Sequence, residues 1–104
     1  MLDKMKQMKQ LLDMQKKAKA MQRDLRDTEI EAVSSDGSIT VIFNGELKLV
    51  NLTIDDSYLD NRSLSDLERD LKTTISEAMG KAQQVAADRT REIMKDMNIN
   101  IPGM

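Results

Sequence analysis

The chain has 104 residues, a formal net charge of −2 and a pI of about 5.1, and it contains neither Cys nor His. That composition excludes disulfides, thiolate nucleophiles, zinc sites with the usual ligands and the commonest acid–base group at neutral pH, so no enzyme activity and no cofactor is expected. With 33% charged residues, one Pro and four Gly, it fits a single folded, helix-rich domain over 1–104, whose small core an oligomer would help to stabilise.

Residues 2–27 are predicted as one amphipathic helix. The first 27 residues carry eight Lys/Arg against four Asp, a local charge of +4, whereas 28–104 carry eight against fourteen acids, a charge of −6. An acidic protein therefore has a basic arm. At ~1.5 Å per residue the arm is about 40 Å long, and strands of the predicted length reach only about 23 Å, so the helix should overhang its own sheet. Its apolar residues form two sets, Met5, Met8 and Leu12, then Leu11, Met14, Ala18, Met21 and Leu25, each at spacings of 3 and 4. The sets are about a third of a turn out of phase, and the change of face falls at Leu11–Leu12. The expectation is that the second set packs on the domain and the first serves another subunit or a ligand.

From Thr28 the pattern alternates as strands do, with predicted spans of 28–34, 39–44 and 46–54. The Asp36-Gly37 and Asn44-Gly45 steps mark two hairpins, since both tolerate φ > 0, and the result is a three-stranded antiparallel meander. Asp55, Asp56 and Asp60 lack the spacing of a calcium loop and are read as turn residues, so no metal is expected. A last helix over 64–98 is announced by Ser65-x-x-Glu68, a capping-box spacing. Leu64, Leu67, Leu71, Ile75, Ala78, Ala82 and Val85 share one stripe, and the next position on it is Arg89. The helix should thus project past the core, carrying Arg89, Arg91 and Lys95. Arg89 is then expected on the inner side, facing the space between the projecting arms, where it can meet a phosphate; the opposing reading is that it pairs with an acid across a helix interface. Ser76, Gly80 and Ala87 make a small-residue face, either a helix–helix interface or plain surface.

Lys16, Lys19, Arg23 and Arg26, at spacings of 3, 4 and 3, line one face of the first helix, with Lys9 near its extension. Such a stripe can track phosphates, or it can be a solvated helix face. Five of the nine methionines lie in the first 21 residues; they can serve adaptable contacts or ordinary packing. Phe43 and Tyr58 are the only aromatics, which disfavours a base-stacking platform for single strands. No run reaches the ~20 apolar residues of a membrane span and no signal-peptide pattern opens the chain, so a cytoplasmic protein without membrane partner or small-molecule substrate is expected.

Met5-Lys6-Gln7-Met8-Lys9-Gln10, Ile39-Thr40-Val41-Ile42-Phe43-Asn44-Gly45, Leu52-Thr53-Ile54-Asp55 followed by Leu59, and Leu67 leading to Glu77-Ala78-x-x-Lys81-Ala82 follow one another in the order and spacing of the YbaB/EbfC family of bacterial nucleoid-associated proteins. The chain resembles that family over nearly its whole length. Where the family commonly has Asn, this chain has Glu77, so no role is carried to that side chain. The resemblance implies an α+β fold and a tweezer-like homodimer with projecting helices. It also implies binding of double-stranded DNA in the nucleoid with little or relaxed sequence preference. On that reading Lys9, Lys16, Lys19, Arg23, Arg26, Arg89, Arg91 and Lys95 are the candidate phosphate contacts, and Met5, Met8, Leu12, Gly80 and Ala87 the candidate dimer contacts. The rival is a prefoldin-like holdase or other protein-interaction module whose Met-rich helices grip a polypeptide. The phase change in the first helix and an odd strand number count against it.

Overall fold

The computed structural model describes residues 2–96. Helix α1 (Leu2–Asp27) is followed by strands β1 (Glu29–Val33), β2 (Ile39–Asn44) and β3 (Leu49–Ile54), a single 3₁₀ turn (Tyr58–Asp60) and helix α2 (Leu64–Asp96). The expected end of the last helix at 98, and the tail after it, lie outside the described residues. The strands form one antiparallel sheet in the order β1-β2-β3. No helix among the described residues is long and apolar enough to cross a membrane.

Alternation decides which face of the sheet is covered. Ile30 pairs with Phe43, Ala32 with Val41, Val41 with Leu52 and Ile39 with Ile54, and this row of apolar side chains faces α2. On the helix, Ala78 and Ala82 are fully buried and Thr74 nearly so. Small residues at these positions let the helix lie close on the strands, and the buried Thr74 hydroxyl donates to the Asp70 carbonyl at 2.7 Å. Leu67, Leu71, Ile75 and Val85 flank the contact as the stripe predicts, whereas Leu64 stays exposed. The cap lies two residues earlier than expected: Ser63 Oγ accepts from the Asp66 amide at 3.2 Å, and the Asp66 carboxylate accepts from the Ser63 amide at 3.0 Å. These hydrogen bonds hold Asp66 below its ordinary pKa.

A polar network ties the first hairpin to the start of α2. The Ser38 hydroxyl donates to Asp36 at 2.7 Å, the Ser38 amide at 3.1 Å and the Ser34 hydroxyl at 2.9 Å, and together with Arg62 they hold the Asp36 carboxyl well below the usual carboxylate range. The Arg62 guanidinium also lies over the Tyr58 ring, 4.6 Å from its centroid. Burial, with the 2.5 Å hydrogen bond from the Tyr58 hydroxyl to Asp70, pushes the phenol pKa up.

The second hairpin departs from the sequence expectation. Strand β3 begins at Leu49 rather than 46, because Asn44 and Lys48 close a loop around Gly45, Glu46 and Leu47. The buried Asn44 side chain accepts from the amides of Glu46 at 2.9 Å and Lys48 at 3.1 Å. The positive φ in this loop falls on Leu47, at 66°, and not on Asn44-Gly45. Gly45 is needed for a different reason, which is close approach. Its amide donates to the Leu25 carbonyl at 2.7 Å, and a Cβ there would stand 2.7 Å from that oxygen and 2.8 Å from Leu25 Cδ2. The turn thereby adds a second, shorter donor to a carbonyl at the C-terminus of α1 that also accepts from the Thr28 amide at 3.3 Å, and the Thr28 hydroxyl donates to the Asp24 carbonyl at 2.6 Å.

That junction holds less of α1 than the apolar spacing suggests. Of the second apolar set only Leu25 is buried and Met21 half-buried; Leu11, Met14 and Ala18 are exposed, as is every described side chain from Asp3 to Ala20. Short strands, and contacts of α1 with β2 and α2 that include the Asp24–Arg89 pair, leave these side chains uncovered. Two glycines should respond oppositely to Ala. Gly45→Ala should destabilise by about 1–3 kcal/mol, because backbone must move, lowering Tm by roughly 4–8 °C per kcal/mol. Gly80→Ala, with open space where its Cβ would lie, should stabilise a monomer by up to ~1 kcal/mol through helix propensity. Thermal unfolding followed by circular dichroism checks both.

Candidate nucleic-acid interface

The basic stripe is presented to solvent. Lys9, Lys16, Lys19, Arg23 and Arg26 are all exposed on α1, and among the described residues none of them is paired with an acid. The structure groups three of them. Lys19, Gln22, Arg23 and Arg26 line a notch of about 230 Å³ closed on its other side by Glu46 of the β2–β3 turn. A neighbouring hollow of about 450 Å³ runs over Gln15, Ala18, Lys19, Met21 and Gln22 and is mainly apolar. The notch exists because Gly45 seats the turn against the last turns of α1, on which the stripe ends. An exposed cluster of long cations around a concavity can receive phosphate oxygens and release their counterions.

The cations of α2 are arranged differently. Arg89 forms an ion pair with Asp24 of α1, the two side chains being 40% and 47% exposed. The alternative in which Arg89 meets an acid on a neighbouring helix is therefore the one found, and Arg89 does not simply face open space. Arg91 lies 3.8 Å from Asp88 on its own helix, and Lys95 is exposed. At 100° per residue, Arg91 and Lys95 point to the side of α2 away from Arg89, so the eight candidate cations do not converge on one surface. Gly80 and Ala87 are exposed, with open space where a Cβ at Gly80 would lie, and Met5, Met8 and Leu12 are 72%, 64% and 56% exposed. Gln22, Glu46 and Asp24 were not singled out from the sequence. Their parts depend on which turn and which helix come to rest beside α1, and no spacing signal reports that. Among the described residues no group of three or more His, Cys, Asp or Glu side chains is placed to hold a metal ion.

This architecture, a basic arm, a three-stranded meander and a long second helix, defines a small α+β protein. Residues 1–97 match the model of the YbaB/EbfC DNA-binding family, and the chain belongs to that family. It is 33% identical over 92 residues to a nucleoid-associated protein of Gloeothece citriformis, covering 86% of this chain and 76% of that one. It is also 32% identical over 104 residues to a nucleoid-associated protein of Rhizobium meliloti, covering 100% and 96%. The crystal structure of the uncharacterized protein HP0035 from Helicobacter pylori superposes with a TM-score of 0.74 at 26% identity, covering 86% of this chain and 95% of that one.

The pair between Asp24 and Arg89 joins α1 to α2 from positions 65 residues apart. Being half exposed, it should contribute only about 0.2–1 kcal/mol. A double-mutant cycle with Asp24→Ala and Arg89→Ala in urea unfolding should return a coupling energy in that range. A coupling above ~2 kcal/mol would mean that the pair secures the fold.

Proposed function

We propose that this protein is a homodimer that binds double-stranded DNA with little or relaxed sequence preference, contributes to nucleoid organisation and gene regulation, and has no catalytic activity. The observation that carries the reading is the unpaired cation cluster Lys19, Arg23 and Arg26 at the base of an arm whose charge opposes that of the rest of the chain. Membership of a DNA-binding family and relatives named nucleoid-associated proteins support it. Because the whole protein is acidic, binding depends on local presentation of charge and weakens as salt screens it. Lys9 and Lys16 extend the contact along the arm, and Arg91 and Lys95 offer further contacts from α2. Arg89 reaches a phosphate only by giving up Asp24. Replacing Lys16, Lys19 and Arg23 together by Gln should weaken duplex binding and reduce the salt slope by roughly one unit per lost phosphate contact, with helical content unchanged. An unaltered affinity and slope in a salt-titrated anisotropy assay would show that the stripe is only solvated.

The dimer is inferred from the apolar surface that one copy leaves bare. Met5, Met8, Leu11, Leu12 and Met14 are all exposed on α1, and clustered exposed apolar side chains of this kind mark interaction sites. A second copy of the arm would cover them, and the small-residue face at Gly80 and Ala87 offers a further contact. Sedimentation equilibrium should give a dimer at micromolar concentration, and a monomer at ~100 μM would overturn the tweezer arrangement. The same exposed methionines favour the holdase reading. Including an unfolded polypeptide as competitor in the anisotropy assay separates the two: displacement of the duplex by that polypeptide would favour the holdase.

A further inference from the structure

The notch that receives cations from α1 also holds an acid, and its position is firmly set. Glu46 sits in a loop closed by the Asn44 amide to the Lys48 carbonyl at 2.9 Å and by the Leu47 amide to the Asn44 carbonyl at 3.0 Å, with its own amide held by the Asn44 side chain at 2.9 Å. Gly45, one residue before, is pressed against Leu25. Glu46 lines the notch together with Lys19, Arg23 and Arg26, yet among the described residues its carboxylate forms an ion pair with none of them. Among the described residues its carboxylate accepts no side-chain or backbone hydrogen bond.

An ionised carboxylate only accepts hydrogen bonds. Next to a phosphate it is repulsive, so it fits a nucleic-acid site only where the ligand also brings a donor. On a duplex the donors at base edges are exocyclic amines. In the major groove the amine of cytosine stands without an acceptor of its own base beside it, whereas that of adenine is flanked by N7, a pattern matched by Asn or Gln rather than by an acid. Thymine O4 and guanine O6 present lone pairs that repel Glu46. We propose that Glu46 is a specificity-determining residue: it accepts a hydrogen bond from the cytosine amine in the major groove while Lys19, Arg23 and Arg26 hold the adjacent phosphates. This rests on the duplex-binding reading above and adds to it the origin of a modest preference for G·C pairs.

The test compares wild type, Glu46→Ala and Glu46→Gln by anisotropy at one salt concentration. The probes are duplexes of equal length containing only A·T pairs, only G·C pairs, or inosine·cytosine pairs, which keep the cytosine amine and remove the guanine amine of the minor groove. Wild type should favour the G·C and inosine·cytosine duplexes by about three- to tenfold, the size of one base contact. Glu46→Ala should narrow the preference for both cytosine-containing duplexes over the A·T duplex. Since groove shape also differs between the duplexes, the deciding quantity is the change in preference caused by the substitution. Glu46→Gln, which keeps the size of the side chain and adds a donor, should lose the cytosine preference without losing duplex affinity. Equal tightening on all three duplexes in Glu46→Ala would make Glu46 a repulsive neighbour only and overturn the proposal. So would an unchanged preference in both variants, or loss of preference for inosine·cytosine alone. Failure of wild type to bind any duplex would overturn the duplex reading as well, so the two failures are told apart. Circular dichroism confirms that both variants keep their helices.

Discussion

The seating of Gly45 against Leu25 governs how this molecule presents its basic arm. Among the described side chains of helix α1 only Leu25 is buried, and at that point the Gly45 amide donates to the Leu25 carbonyl at the end of the helix. A helix terminus leaves its last carbonyls without intrahelical partners, so the bond adds a donor there and fixes the turn to the helix in one contact. From Asp3 to Ala20 every side chain of the arm is exposed. The arm is therefore a lever anchored at one end, and the cations Lys19, Arg23 and Arg26 lie where the lever meets the body.

The charge distribution follows from this mechanical arrangement. A net charge of −2 would keep a compact, evenly charged protein away from polyanions. Here eight of the sixteen basic residues are on one helix that extends out of the acidic body. With a Debye length of about 8 Å at physiological salt, cations at the outer part of the arm are largely screened from the acids of the sheet and α2. Near the base that separation shrinks: Glu46 lines the notch beside Lys19, Arg23 and Arg26 without pairing with them, and Asp24 of α1 pairs with Arg89 of α2. Affinity should come from the length of the arm, and its modulation from the base.

The second helix does opposite work. Ala78 and Ala82 bring it close to β1 and β2, and Thr74 conceals its hydroxyl in its own backbone, so the sheet needs no second covering layer to form its core. The other sheet face stays partly open, with Val33 exposed beside Thr40 and Ile42. A body built on one covered face of three short strands is small. That explains why neither apolar set of α1 finds enough surface on its own chain.

The amino-acid sequence by itself determined the elements and their order. Spacings of 3 and 4 in α1 and α2, and of 2 in β1 and β2, report local periodicity, which is a property of the backbone and needs no partner. It also determined that the arm is basic and too long for its sheet. Its errors fall where a contact between distant segments decides: Gly45 serves close approach to Leu25 instead of a positive φ, the helix cap is at Ser63 and not Ser65, and Leu11, Met14 and Ala18 are uncovered despite ideal spacing. Tertiary structure alone brought Asp24 to Arg89 and Glu46 to Lys19, Arg23 and Arg26. Those meetings depend on where a turn and a second helix come to rest against α1, and hydrophobic periodicity, which records only which side of an element is apolar, carries no information about them.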